Sequence, residues 1–221
     1  MDSSGRTAFE RGLRGAVRGG VHFDQATRGI YATDASIYQI RPVAVVTPLD
    51  EHGVRAAVAV AAEHGVSILP RGGGTSLAGQ AVGEALVLDF SKHLNRLLEL
   101  DVERRWARVQ PGLVRDELNA QVAAHRLHFA PDPASANRAN IGGMIGNNSS
   151  GMRSVVYGKT VDHLLETRVL LADGTELTSP RWTTSSGKSG AAAGAAKRKS
   201  SAASAAWWKP TGKRSSGAFP R

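Results

Sequence analysis

Between Pro42 and Gln80 the chain sets out a strand, a helix, a second strand and a glycine cluster, and few folds accept that order. PVAVVTP (residues 42–48) is a β-branched run bounded by prolines and reads as a buried strand. Asp50 is an N-cap candidate for the following segment, where Val54, Ala57, Val58 and Ala61 recur at helical spacing until Gly65 supplies a stop. Val66 to Leu69 is a second short apolar run, ending at Pro70. The connection is long enough for a parallel crossover, so the segment is predicted to be a βαβ unit. The glycine loop that follows it is PRGGGTSLAGQ (residues 70–80). Three consecutive glycines let backbone N–H groups crowd around an anion, because no Cβ obstructs approach and positive φ costs little.

Familiar nucleotide motifs can be tested here by spacing. After Gly72 and Gly74 a dinucleotide-binding Rossmann fingerprint needs glycine or alanine where Leu77 stands. Gly74 and Gly79 have the interval of an ATP-binding P-loop, but Gln80 occupies the lysine position, and Gly158-Lys159-Thr160 has Arg153 where the first glycine belongs. Neither motif survives. Taken alone, Gly72–Gly74 also reads as a flexible turn.

Further along, Ala85–Phe90 reads as a strand, and Leu97–Asp101 with Trp106–Gln110 as a pair joined by the charged turn Val102–Arg105. Pro111-Gly112 breaks the chain. Leu113–Ala124, with Leu113, Leu118 and Val122 on its apolar positions, is expected to be a helix, and Leu127–Pro131 to be extended. Ala134–Gly158 is rich in Gly, Asn and Ser but punctuated by Ile141, Met144 and Ile145, as suits a packed functional loop. Its centre, NIGGMIGNNSSG (residues 140–151), offers bare backbone and amide side chains suited to pyrophosphate, ribityl hydroxyls and the polar edge of a flavin. Leu164–Leu171 reads as a strand ending in the turn Ala172–Thr175. Before Pro42, a lead helix carrying Phe9, Leu13 and Val17 is expected to give way to irregular chain.

Five motifs now stand in order: PVAVVTP with its helix, ILPRGGGTSLAGQAV, FAPDPAS, NIGGMIGNNSSG and YGKTVDHLLETRVLLADG. Together they resemble the PCMH-type FAD-binding domain shared by vanillyl-alcohol oxidase, D-lactate dehydrogenase, glycolate oxidase and D-2-hydroxyglutarate dehydrogenase proteins, over roughly Ala32 to Thr178. The resemblance implies an α+β fold in which two small α/β subdomains clamp an extended FAD. It places Arg71, Gly72, Gly73, Gly74, Thr75, Ser76, Gly79 and Gln80 around the pyrophosphate. Pro131, Ser135, Ile141, Gly142, Gly143, Asn147, Asn148, Gly151 and Gly158 are implied to line the dinucleotide and ring. Some relatives attach FAD through a histidine after the glycines; Thr75 stands there in this chain, so non-covalent binding is expected. Arg71 is a candidate to balance phosphate charge, or a structural arginine after a strand.

The implied reaction is oxidation of a hydroxy acid, its CH–OH group giving a hydride to FAD. In relatives the base and the carboxylate-binding cations come largely from a downstream substrate domain. That domain is expected after about residue 180, where this chain has only 41 further residues. A truncated oxidoreductase, able to take a hydroxy acid only if a substrate domain is supplied, is therefore expected. A non-catalytic flavin-binding fragment and a fragment that does not fold stably are the rivals, and a flavin-dependent reductase of the enolpyruvyl-sugar type is a further one. No general base is nominated. His22, His52, His64, His93, His125, His128 and His163 show no metal-ligand or triad spacing, and each reads as structural or surface. No metal is expected.

Charge settles the remaining organisation. Nine of the 28 basic residues and none of the 19 acidic ones lie between Arg181 and Arg221, which leaves 19 of each sign in the rest of the chain. The body is neutral, which argues against the domain itself as a nucleic-acid binder. From Arg181 onward Leu, Ile, Val and Met are absent, so residues 181–221 are expected to be a disordered, low-complexity basic tail behind a lead segment (1–41) and an FAD-binding domain (42–180). A nucleic-acid-binding arm, an inert extension and an out-of-frame translation of a GC-rich gene remain open for it. The last is favoured, because aliphatic residues larger than Ala vanish where the family's next segment should begin. The chain has no cysteine, so disulfides, Cys-ligated zinc and Cys-held iron–sulfur clusters are excluded from it. With neither a signal peptide nor a run of roughly 20 apolar residues, a cytoplasmic protein without a transmembrane segment is expected.

Overall fold

A computed structural model describes residues 2–180. The tail expected over 181–221 lies outside the described residues. The elements are α1 (Ser3–Ala16), β1 (Gly19–His22), α2 (Gln25–Ile30), β2 (Ala44–Pro48), α3 (Glu51–Glu63), β3 (Ile68–Arg71), β4 (Leu86–Asp89), β5 (Leu97–Asp101), β6 (Trp106–Val109), α4 (Arg115–Val122), α5 (Ile141–Gly146), α6 (Ser154–Tyr157), β7 (Glu166–Leu170) and β8 (Glu176–Pro180). Single 3-10 turns follow α4 and precede β7. No helix among the described residues is long and apolar enough to cross a membrane.

The first unit is a four-stranded sheet in the order β1-β2-β4-β3, with β2, β4 and β3 parallel and β1 antiparallel to β2. The βαβ unit is there, with β4 inserted between its two strands. Asp50 caps α3 by accepting from the Gly53 N–H at 2.8 Å, as its position before the apolar repeat predicts. Helices α1 and α3 lie together on one face of the sheet. Phe9 and Leu13 of α1, Ala57 and Ala61 of α3, and Ala44, Val46, Leu86 and Leu88 of the strands form one core. Val45 and Val87, paired in register, point to the opposite face and are also buried.

Two expectations are corrected here. The chain after α1 is not irregular: Gly19 and Gly20 open β1, and a Cβ on Gly19 would lie 2.3 Å from the Thr47 carbonyl oxygen. A glycine that reads as a breaker is what lets β1 approach β2. β3 also runs on to Arg71, past Pro70, because it is the edge strand, where a proline is tolerated.

The second unit packs the β5–β6 hairpin against α4 and α5. Val109, Leu113, Leu118, Val122, Phe129, Ile141 and Met144 form its separate core. The segment expected to be loop throughout Ala134–Gly158 contains α5 and α6. Its three glycines make α5 a poor helix by propensity, but Ile141 and Met144, one turn apart, both bury and outweigh that. The β7–β8 hairpin returns to the first unit. Leu170 packs on the first core, while Arg168 pairs with Glu51 of α3 at 3.3 Å and Arg55 of α3 with Glu176.

Candidate functional site

Strand β3 ends beside β4 with Arg71 opposite Asp89, and the chain leaves the sheet there at the carboxyl end of its parallel strands. Crevices at that end are where open α/β sheets take ligands. Gly74 (φ +64°) and Gly79 (φ +76°) hold the left-handed turns that shape the loop. Ser76 is its internal strut: its hydroxyl donates to the Gln80 side chain and accepts from the Ala78 and Gln80 N–H groups, each at 3.3 Å. Among the described residues, no acceptor faces the backbone N–H groups of Gly74, Thr75, Ser76, Leu77 or Gly79. Five unspent donors on a half-exposed loop are available to an anion in chemical terms.

Gly72 and Gly73 have a different task. A Cβ on Gly72 would lie 2.4 Å from Asn140 Oδ1, and one on Gly73 would lie 2.4 Å from the Arg138 carbonyl oxygen. They let the first loop dock on the second. Asn140, buried at the foot of α5, accepts from the Gly73 N–H and donates to the Gly112 carbonyl, so one side chain joins the two loops.

The α5 helix sorts its residues by face. Ile141 and Met144 enter the core, Gly142 packs on Pro111, and Gly143 and Gly146 have nothing within 4 Å of where a Cβ would sit. With Asn147 they make a bare, exposed face. Pro131 is buried, its carbonyl accepting from Arg115 Nε at 2.9 Å. The Ser135 carbonyl accepts from the Arg138 and Ala139 N–H groups. Gly151 lies against Asp132, whose carbonyl oxygen would be 2.0 Å from a Cβ there. Residues 131–135 and 151–153 are thereby brought together, helped by the Arg153–Asp132 pair at 3.6 Å.

Two of the expected lining residues also have structural partners. Asn148, at φ +48°, accepts from the Val161 N–H through Oδ1, and Gly158, at φ +84°, sits against Asp162. His163 is buried and donates through Nε2 to the Tyr157 carbonyl at 2.7 Å.

Arg71 lies against the glycine loop, its Nη2 2.5 Å from where a Cβ on Gly74 would sit, but its donors are spent on carbonyls. Its guanidinium donates to the carbonyls of Ala81 (2.5 Å), Thr33 (2.7 Å) and Tyr31 (3.4 Å), and lies 5.3 Å from the Tyr31 ring centroid. Burial lowers its pKa, opposed by the neighbouring Asp34, Tyr31 and Asp89. The Tyr31 hydroxyl donates to Asp89 at 2.5 Å. Burial, then that hydrogen bond and the carboxylate charge, push the phenol well above its ordinary range. Sequence reasoning nominated neither Tyr31, Asp34 nor Asp89, and included Asn140 only as the first residue of the amide-rich motif, not as the tie between the loops. The one available signal was an acidic residue closing the apolar strand LVLD, where a carboxylate needs a partner to be buried.

A cavity of about 30 Å³ under the β5–β6 hairpin, lined by Leu100, Trp106, Leu118, Val122, Phe129 and Ile141, has room for roughly one water.

A family model described as an FAD binding domain matches residues 42–179. The D-2-hydroxyglutarate dehydrogenase of Pseudomonas putida is 46% identical over 175 residues, which are 77% of this chain and 17% of that protein. A glycolate oxidase subunit of Bacillus subtilis is 39% identical over 163 residues, 72% of this chain and 34% of that protein. The chain thus spans about a third or less of these relatives. Among solved structures, an alkyldihydroxyacetonephosphate synthase superposes with a TM-score of 0.71 at 23% identity, covering 82% of this chain and 36% of that one, a likeness of fold alone.

Proposed function

Because this chain belongs to the FAD binding domain family, we propose that it holds FAD non-covalently against residues 71–80 and 131–151. The carrying observation is the set of five unspent N–H groups from Gly74 to Gly79, which suits a pyrophosphate. The bare face of Gly143, Gly146 and Asn147 lets a flat ligand approach the α5 backbone. Thr75 offers no nucleophile for a histidyl-type flavin bond, which supports non-covalent attachment. The residues present therefore fit the group.

Bound FAD would supply hydride acceptance from the CH–OH group of a hydroxy acid, the substrate class named by the relatives. This chain's contribution is to bind and orient: loop N–H groups hold the anion, Asn140 fixes the distance between the two loops, and α5 presents backbone to the ligand. Turnover would require a substrate-binding part that brings a base and carboxylate-binding cations.

The direct test is a visible spectrum of the purified chain after incubation with excess FAD and removal of the unbound fraction. Retained flavin bands are expected, and their loss in Gly73→Trp, which drives an indole into the Arg138 carbonyl, would locate the site. A cooperatively folded chain that retains no flavin would overturn the proposal.

A further inference from the structure

The family match begins at residue 42, yet the glycine loop is gripped from outside it. Residues 32–40 form a closed loop, pinned by the Thr33–Gln39 bridge and by the Ile40 N–H to the Ala32 carbonyl at 2.9 Å. From this closed loop the Ala35 N–H donates to the Gly74 carbonyl at 3.0 Å, and Asp34 Oδ2 accepts from the Ala81 N–H at 3.2 Å. The Tyr38 ring lies where a Cβ on Gly79 would come within 2.7 Å. Arg71 closes the arrangement from the other side by donating to the Thr33 and Ala81 carbonyls.

We infer that residues 31–38 are a clasp that sets the glycine loop in its ligand-ready shape, and that Arg71 is a positioning residue rather than a phosphate ligand. Both ends of the loop, at Gly74 and Ala81, are bonded to the clasp, and the five free N–H groups lie between those anchors. Anchoring uses N–H and C=O groups other than the free donors, so holding the loop leaves those donors free. The Arg71 donors are directed at carbonyls of the clasp and of the loop's far end. An ammonium in their place would supply the charge without the planar fork that reaches several carbonyls at once.

This rests on the reading that the loop holds FAD, and Asp34 separates the possibilities by sign. If the clasp acted on FAD only through charge, removing a carboxylate beside an anion site would tighten binding. As a mechanical anchor, its loss must weaken binding. FAD affinity by flavin fluorescence titration is expected to fall roughly ten- to a hundredfold in Asp34→Ala, as for one lost hydrogen bond to a charged group, and to recover largely in Asp34→Asn, which keeps an acceptor. Arg71→Lys should weaken binding with a salt dependence equal to that of the unsubstituted chain, because the charge is kept and only the fork is lost.

Amide hydrogen exchange of the FAD-free chain gives a readout independent of the cofactor. Peptides spanning residues 72–82 should exchange faster in Asp34→Ala and Arg71→Gln, while those of β2 are unchanged. If the unsubstituted chain holds no FAD, the proposed function falls, and the exchange data still judge the clasp. Unchanged exchange over 72–82, tighter FAD binding in Asp34→Ala, or Arg71→Lys binding as well as arginine with its salt dependence intact would each overturn the inference.

Discussion

Gly143 offers the sharpest test of where the ligand lies, because stability and affinity should move in opposite directions there. It is a non-terminal residue of α5, its φ is not positive, and the space where a Cβ would sit is open to at least 4 Å. Gly143→Ala removes backbone freedom from the unfolded chain without a clash, which is worth about 0.5–1 kcal/mol in a helix. For a domain of this size that raises the melting temperature by about 1–4 °C. If FAD lies against this face, the new methyl intrudes by one carbon on a close-packed contact, at a cost of about 1–3 kcal/mol. That is roughly 5- to 150-fold in Kd. The control is Gly142→Ala, one residue away, whose Cβ would lie 2.7 Å from Pro111 Cβ and 3.0 Å from its carbonyl oxygen, and which should lower the melting temperature instead. Differential scanning fluorimetry without FAD and fluorescence titration with it measure the two quantities. A Gly143→Ala chain that is more stable and binds FAD unchanged would refute the placement of the cofactor on α5, and one that is less stable would refute the reading of open space.

Other substitutions test the scaffold. Gly112→Ala would put a Cβ 2.0 Å from the Phe90 carbonyl oxygen and 2.8 Å from that of Leu94, with backbone on both sides, so urea unfolding should show a loss of more than about 2 kcal/mol. Asn140→Ala strands the Gly73 N–H and the Gly112 carbonyl and should cost about 1–3 kcal/mol, with weaker FAD retention because the loops are no longer tied. Burial, then the charges of Arg115 and Arg153, hold His128 below the usual histidine pKa. The unfolded chain therefore takes up its proton first, so this group destabilises the fold as pH falls from about 6.5 toward the folded value, and has no effect above. Urea midpoints measured across that range should decline less in His128→Gln; an identical decline would count against the assignment.

The parts of the fold that were legible in the sequence are those with local causes. Val45 and Val46, the apolar repeat of α3, the Asp50 cap and the charged turn between β5 and β6 each declare their element within a few residues. What was not legible depends on distant partners. Gly19 and Gly20 signal a break until β2 is known to lie against them. The α5 helix is weak by propensity and is recovered only because Ile141 and Met144 find Val109, Leu113 and Leu118. The site follows the same rule. The glycines and amides of both loops are visible as composition, but the partners of Arg71 lie up to 40 residues earlier, and Asn140 reaches 67 residues back to Gly73. A side chain's task was hidden wherever its hydrogen bonds span such distances.

The β7–β8 hairpin fixes a sequence of events in time. Arg168 meets Glu51 across 117 residues and Arg55 meets Glu176 across 121, so the first unit cannot close its outer ion pairs or cover its core with Leu170 until nearly all of residues 2–180 have been made. At about 5–20 residues per second on the ribosome, α3 waits roughly 6–24 s for those partners. During that interval the nascent sheet carries an uncovered apolar margin, and its protection falls to whatever accompanies the chain as it emerges.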